Sequence, residues 1–299
     1  MTIPFVREMD FEYGVMAEVA PGLRRLVCEN PGGFTFHGTN TYVIGQGDVA
    51  VVDPGPLNEA HLKALLDALS GETVTHILMT HTHMDHSPLA APLKEATGAK
   101  TYGYGPHGLG KLDEGIQVEE GGDMDFDPDV RLRHGDRVKG GSWEVEAVYT
   151  PGHTSNHLCF ALVAQEALIT GDHVMGWSTS VISPPDGDMK TYMESLDLLV
   201  ERADSVLWPA HGPAITDPAP FLQEFIKHRL AREDQIAACI GDGLTEIPVM
   251  VKRMYADVDE RLHRPAAMSV LAHLQHMVAT NRAACDGEPG MGSTYRLPQ

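Results

Sequence analysis

At 299 residues the chain has room for one large domain or two smaller ones, and 42% hydrophobic with 21% charged residues is ordinary globular composition. No run approaches the roughly 18 apolar residues of a membrane span. A net charge of −20 would repel a phosphate backbone at long range and counts against high-affinity nucleic-acid binding. Residues 221–299 hold nine Lys/Arg and ten Asp/Glu, so nearly all of that charge precedes them. Cys28, Cys159, Cys239 and Cys285 are too scattered for a thiolate metal site or a disulfide framework and read as free thiols. The first eight residues lack the basic start and apolar stretch of a secretory signal, so we expect a reducing, cytoplasmic setting.

In chain order, Val15–Val19 and Leu23–Val27 predict edge strands, and a turn at Asn30-Pro31-Gly32-Gly33 follows. Tyr42–Ile44 and Val49–Val52 read as two strands joined across Gly45–Asp48. Leu57–Leu69 has helical spacing (Leu62, Leu65, Leu66, Leu69) and stops at Ser70-Gly71. Val74–Thr80 is a strand, Pro88–Thr97 a helix and Lys100–Tyr104 a short strand. Gly105–Arg137 is rich in Gly and Asp, and Glu119–Asp129 reads either as a loop near a site entrance or as a solvated acidic excursion. Trp143–Tyr149, His157–Val163 and Ala167–Thr170 predict three more strands, then helix Met189–Arg202 and strand Ser205–Trp208. This alternation predicts a layered α/β sandwich for residues 1–220. Residues 221–299 change character: an amphipathic helix Phe221–Ile240, shorter helical pieces Leu244–Tyr255 and Arg264–Val278, and a Gly/Pro-rich tail from Gly287. They predict a small helical module, either a winged-helix-like unit or a cap or dimerisation arm. Its removal should affect assembly or substrate choice more than the site below.

That site starts at Thr80-His81-Thr82-His83-Met84-Asp85-His86-Ser87, which follows a predicted strand into irregular backbone. Three further motifs repeat the placement after an apolar run beside Gly or Pro: His153 in Pro151-Gly152-His153, Asp172 in Gly171-Asp172-His173, and His211 in Ala210-His211-Gly212. Imidazole nitrogen and carboxylate oxygen are the ligands that hold zinc and similar divalent ions. His81, His83 and His153 would take one ion and Asp85, His86 and His211 a second, with Asp172 bridging. Two such ions leave room for a shared water, which becomes a bridging hydroxide nucleophile near neutral pH. Asp85, held by the metal, or a metal-bound water is the candidate for proton delivery.

These four separated motifs, in this order, resemble the metallo-beta-lactamase superfamily. The resemblance implies a four-layer αβ/βα sandwich with the ligand set above, and it makes Asp53 of Val52-Asp53-Pro54-Gly55 a partner that orients a ligand histidine. A turn-forming role for Asp53 stands beside that reading. Gly38–Gly45 and Lys227–Ile236 extend the likeness to the beta-lactamase-like protein 2 family, whose members append a winged-helix-like C-terminal domain; here Ala266–Met277 resembles its last helix. Members with this layout are implied to be zinc hydrolases, among them single-strand RNA endonucleases, and close relatives hydrolyse acyl-carrier thioesters. The tail Asn281–Gln299 departs from an RNA-contacting wing, with only Arg282 and Arg296 as basic residues.

The function expected is therefore a dinuclear metal-dependent hydrolase, with zinc ahead of iron or manganese. An acidic surface places an ester or thioester substrate ahead of RNA, and beta-lactam hydrolysis behind both. An iron-dependent oxidoreductase of the same fold is the alternative from another class, and a homodimer is compatible with the module. Of the other candidates, His157 and His173 read as structural, Trp177 and Tyr192 as pocket or core, His228 with Arg229 and Arg232 as an exposed helix face, and His263, His273 and His276 as helix surface or packing.

Overall fold

The computed structural model describes residues 3–110, 121–256 and 263–298. Seven strands form the first sheet in sequence order: β1 (Ala17–Ala20), β2 (Leu23–Val27), β3 (Asn40–Ile44), β4 (Asp48–Val52), β5 (Thr73–Leu78), β6 (Lys100–Gly103) and β7 (Val130–Arg131). The first four are antiparallel neighbours, and β4 to β7 run parallel. The second sheet has the order β12-β11-β10-β9-β8, from β8 (Arg137–Lys139), β9 (Glu144–Tyr149), β10 (Leu158–Leu162), β11 (Ala167–Gly171) and β12 (Val206–Pro209). In it β11 and β12 are parallel, and the other pairs are antiparallel.

The period-two geometry of a strand decides what each residue covers. Ala50 and Val52 of β4 face inward to meet Leu158, Phe160 and Ile169 of the other sheet, while Val49 and Val51 face outward. That outer face is covered by α1 (Glu59–Ala68) and α2 (Ala90–Thr97) through Leu65, Ala90 and Leu93. On the far side, Cys159 and Ala161 of β10 pack under Tyr192, Leu196 and Leu199 of α3 (Met189–Arg202). The result is the expected four-layer αβ/βα sandwich, and its central strands are apolar on both faces because both are covered. Phe160 is fully buried between the sheets; truncation to Ala there would cost about 3–5 kcal/mol.

Boundaries shift for local reasons. The α1 helix starts at Glu59 rather than Leu57 because Asn58 caps it, its side chain accepting from the His61 N–H. The two-residue strand β7 and the three-residue β8 were not predicted, being too short to show periodicity. Of the predicted loop at Glu119–Asp129, residues 119–120 lie outside the described residues. The rest is tied to the histidine motif: Gly122 bridges His83, the Asp123 N–H donates to Thr82 O, and Ser87 Oγ donates to Asp123 Oδ2.

Helix α4 (Pro218–Gly241) is followed by α5 (Ile247–Met254), α6 (His263–Ala279) and a ribbon of β13 (Ala284–Cys285) with β14 (Tyr295–Arg296). A separate core joins Ile236, Cys239 and Ile240 of α4 to Ile247, Met250 and Val251 of α5, to Leu271, Leu274 and Met277 of α6, and to Tyr295. The first turns of α4 lie elsewhere, with Phe221, Leu222 and Phe225 packed among the residues beneath α3. One helix thus serves two cores. Arg229, expected on an exposed face, is buried; its position four residues after Phe225 keeps it on the apolar stripe. His228 and Arg232 are half-buried.

Candidate metal centre

Five strand ends meet at one edge of the sandwich. Strand β4 leads to Asp53, β5 to the His81–His86 loop, β9 to His153, β11 to Asp172 and β12 to His211. Backbone hydrogen bonds lock these ends together: Asp53 N–H to Leu78 O, Leu158 N–H to Thr80 O, Ala210 N–H to Gly171 O and Asn40 N–H to Ala210 O. Gly171 has φ +51°, and a Cβ there would sit 2.7 Å from His157 Nε2 and 2.8 Å from Thr80. Only glycine lets β11 pass this close to the histidine loop. Gly152 is held likewise, at φ +135° with Tyr192 backbone 2.3 Å from where a Cβ would stand.

All seven predicted ligand residues are brought together and buried, in two groups: His81, His83 and His153, and Asp85, His86, Asp172 and His211. In the first group His83 Nδ1 lies 3.2 Å from His81 Nε2 and 3.1 Å from His153 Nε2. Nitrogens about 2.0–2.1 Å from a tetrahedral ion stand about 3.3–3.4 Å apart, so this triad has the spacing of one face of such a site. In the second, Asp85 Oδ2 lies 3.1 Å from His211 Nε2 and 3.4 Å from His86 Nε2. Asp172 touches both groups: Oδ1 is 3.3 Å from His211 Nε2, and Oδ2 is 3.6 Å from His86 Nε2 and 3.8 Å from His153 Nε2. Despite these approaches His86 Nε2, His211 Nε2 and Asp172 Oδ1 have no partner in hydrogen-bond geometry. Such atoms fit a cation among them better than bonds to one another.

The outer ring nitrogens are fixed by the surrounding chain, which decides the tautomers. His153 Nδ1 donates to Val181 O at 2.7 Å, His211 Nδ1 to Gly38 O at 3.2 Å and His86 Nδ1 to Asp53 Oδ2 at 3.0 Å. Thr80 Oγ1 donates to Asp53 Oδ2 at 2.6 Å, so it accepts from His81 Nδ1 at 3.0 Å. In its neutral form each of these four rings presents an Nε2 lone pair inward, as metal ligation requires. Burial, reinforced by the neighbouring rings, holds His81 and His83 well below the usual histidine range, and burial also lowers His153. Burial would lower His86 and His211 too, but Asp85 and Asp172 outweigh it; His86 rises well above its usual range and His211 to about 10. Asp85 and Asp172 are correspondingly held below the usual carboxylate range, against the effect of burial, by His86 and His211. Two carboxylates in a dry pocket draw in positive charge, whether protons or metal ions.

The remaining candidates fall outside the two groups. His157 is buried; it accepts from the Asp172 N–H through Nε2 at 3.3 Å and so donates from Nδ1 to Thr150 Oγ1 at 2.9 Å. Tyr192 is core, its hydroxyl donating to His173 O. Trp177 stacks on Phe36 with ring centroids 4.9 Å apart. His276 Nδ1 and Arg282 bind Glu233 in the C-terminal core, with His273 beside them. Sequence reasoning missed Thr80, the carbonyl of Val181, and Ser180, whose hydroxyl donates to Asp172 O at 2.6 Å and to His173 O at 2.9 Å. Thr80 could have been found from its place before His81; Ser180 has no local signal.

Residues 34–211 match the family described as Metallo-beta-lactamase superfamily, and residues 247–291 match the Beta-lactamase associated winged helix domain. The chain is 27% identical over 292 residues to a lactamase-like protein, adaB, of Aspergillus niger, covering 91% of this chain and 85% of that one. It is 29% identical over 227 residues to an atrochrysone carboxyl ACP thioesterase of Claviceps purpurea, covering 75% and 67%. Among solved structures, a beta-lactamase domain protein from Burkholderia ambifaria superposes with a TM-score of 0.79 at 24% identity, covering 95% of this chain and 94% of that one.

Proposed function

The chain belongs to the metallo-beta-lactamase superfamily, and from that premise we propose that it is a dinuclear metal-dependent hydrolase of ester or thioester substrates. The single observation that carries this reading is the convergence of seven buried His and Asp side chains whose inward atoms are spaced for cations. His81, His83 and His153 would hold one divalent ion, and Asp85, His86 and His211 the other, with Asp172 shared; zinc suits this nitrogen and oxygen set, as iron and manganese also can. When bound, two such ions polarise the scissile bond and make water nucleophilic near neutral pH. The protein's own part is orientation. Asp53 aims His86 and, through Thr80, His81; Val181 O aims His153, and Gly38 O aims His211. Asp85, 3.1 Å from His211 Nε2, is the group to hold the proton lost by the attacking water.

Thioester hydrolysis ranks first because a thioesterase stands among the relatives and because the C-terminal tail offers RNA little. Arg282 is engaged by Glu233 and Asp234, and Arg296 by Asp286 at 2.8 Å. We divide the chain at residue 220 into a catalytic part and a helical, winged-helix-like part that shares α4. Among the described residues no helix is long and apolar enough to cross a membrane. The test is turnover of an acyl-N-acetylcysteamine thioester, a beta-lactam and a single-stranded RNA by zinc-loaded protein. Thioester turnover well above the other two is expected. Cleavage of RNA alone would overturn the substrate class, and iron in the unsupplemented protein as purified, with no hydrolysis of any of the three, would move the chain to an oxidoreductase.

A further inference from the structure

Arg229 is a buried guanidinium on α4, held by a main-chain carbonyl, and no ion pair joins it to a carboxylate among the described residues. Its Nη2 donates to Ser180 O at 2.5 Å, its guanidinium carbon lies 5.0 Å from the Tyr192 ring centre, and its Nε has no hydrogen-bond partner. Removing an unpaired charge from water is costly, and packing alone would be better served by an apolar residue. What Arg229 holds is specific. Ser180 and Val181 are consecutive: Ser180 Oγ binds the main chain of Asp172 and His173, and Val181 O accepts from His153 Nδ1. Tyr192, under the guanidinium, also binds His173 O. A single side chain from α4 therefore grips the segment that fixes Asp172, which touches both groups of donors, and one histidine of the triad.

We propose that Arg229 is a positioning residue for the metal centre, coupling α4 to the geometry of His153 and Asp172 through the carbonyl of Ser180. The inference rests on the reading of those two residues as metal ligands. It sharpens the expectation that removing the C-terminal part affects assembly or substrate choice more than the site: a truncation before α4 removes Arg229 and should loosen metal binding as well. A side chain acting through oriented ligands typically changes metal affinity about 10–100-fold.

The test compares zinc affinity, by chelator competition, and the cobalt(II) absorption spectrum of full-length wild type, Arg229→Met, Arg229→Lys, Arg229→Gln and Ser180→Ala. Thermal unfolding and circular dichroism establish that each is folded. Arg229→Met should bind zinc about 10–100-fold more weakly with an altered cobalt spectrum, and Arg229→Lys, which can still donate to Ser180 O, should recover part of the loss. A folded Arg229→Met with wild-type zinc affinity and spectrum overturns the proposal. Should Arg229→Met fail to fold, Arg229→Gln, too short to reach Ser180 O, decides: weakened zinc binding with an altered cobalt spectrum supports the coupling, and wild-type affinity and spectrum refute it. Ser180→Ala, which keeps the carbonyl and loses only the hydroxyl contacts to Asp172 and His173, would remove Asp172 from the coupling if its zinc affinity were that of wild type. If wild type takes up no divalent ion, the ligand reading falls first and this inference with it.

Discussion

Two buried clusters of histidine and carboxylate lie in this chain, and they differ in kind. Around Glu233 in the C-terminal core, the carboxylate is used up by His276 and Arg282, and a second arginine contact joins Arg282 to Asp234. At the sandwich edge, ring nitrogens and carboxylate oxygens approach to 3.1–3.8 Å while the inward atoms of His86, His211 and Asp172 remain without hydrogen-bond partners. The first is an ion-pair network that holds helices together, with both oxygens of Glu233 engaged, although the ring nitrogens of the adjacent His273 have no hydrogen-bond partner. The second is an open set of donors, with His81, His86, His153 and His211 each aimed by a contact on the outer nitrogen. Composition does not separate them; what separates them is whether the carboxylate oxygens are taken up by cationic donors, as in Glu233, or left without a hydrogen-bond partner, as in Asp172 Oδ1.

The largest expected effect comes from breaking the open cluster at its shared member. Asp172→Ala should lower kcat/KM by on the order of 10³-fold or more and reduce metal content at both positions; full turnover would remove Asp172 from the bridge. His211→Ala should cost mainly one ion, leaving about half the wild-type metal per chain by elemental analysis. Unchanged stoichiometry would contradict the grouping of His211 with Asp85 and His86. Asp53→Ala leaves every ligand in place but frees the outer nitrogen of His86, so metal affinity should fall about 10–100-fold; an unchanged dissociation constant would make Asp53 a turn residue after all.

The smallest effect sharpens the other side of the comparison. Glu233→Gln should destabilise the fold by about 2 kcal/mol and leave metal content unchanged. Burial would raise Glu233, but His273 and His276 bring it down to about 2 from an ordinary value of 4.5. A depressed carboxylate stabilises fully above its ordinary value and loses that contribution as pH falls from about 4.5 toward about 2. In metal-free protein, wild type should therefore lose more stability than Glu233→Gln over that window. Parallel losses would deny the network its charge.

The sandwich and the site were legible because both write themselves into local pattern. Continuous apolar runs in Val49–Val52 and His157–Val163, bounded by turn residues, announced strands, and each candidate ligand motif follows an apolar run beside glycine or proline. Asp53 and Thr80 could be read from neighbouring motifs. The contacts that aim the site from farther away could not: Arg229 and Ser180 are 49 residues apart and meet only through the packing of α4 on α3. Arg229 was misplaced because charge suggests solvent; its place four residues beyond Phe225 and four before Glu233 carried the opposite message. The β13–β14 ribbon, with two residues per strand, left no period to detect.

The most direct test is metal content of purified, unsupplemented protein, measured together with thioester turnover before and after chelation. The account predicts about two divalent ions per chain, activity lost on chelation, and recovery on adding zinc back. A folded protein that holds no metal, or that turns over the thioester undiminished after chelation, would contradict it.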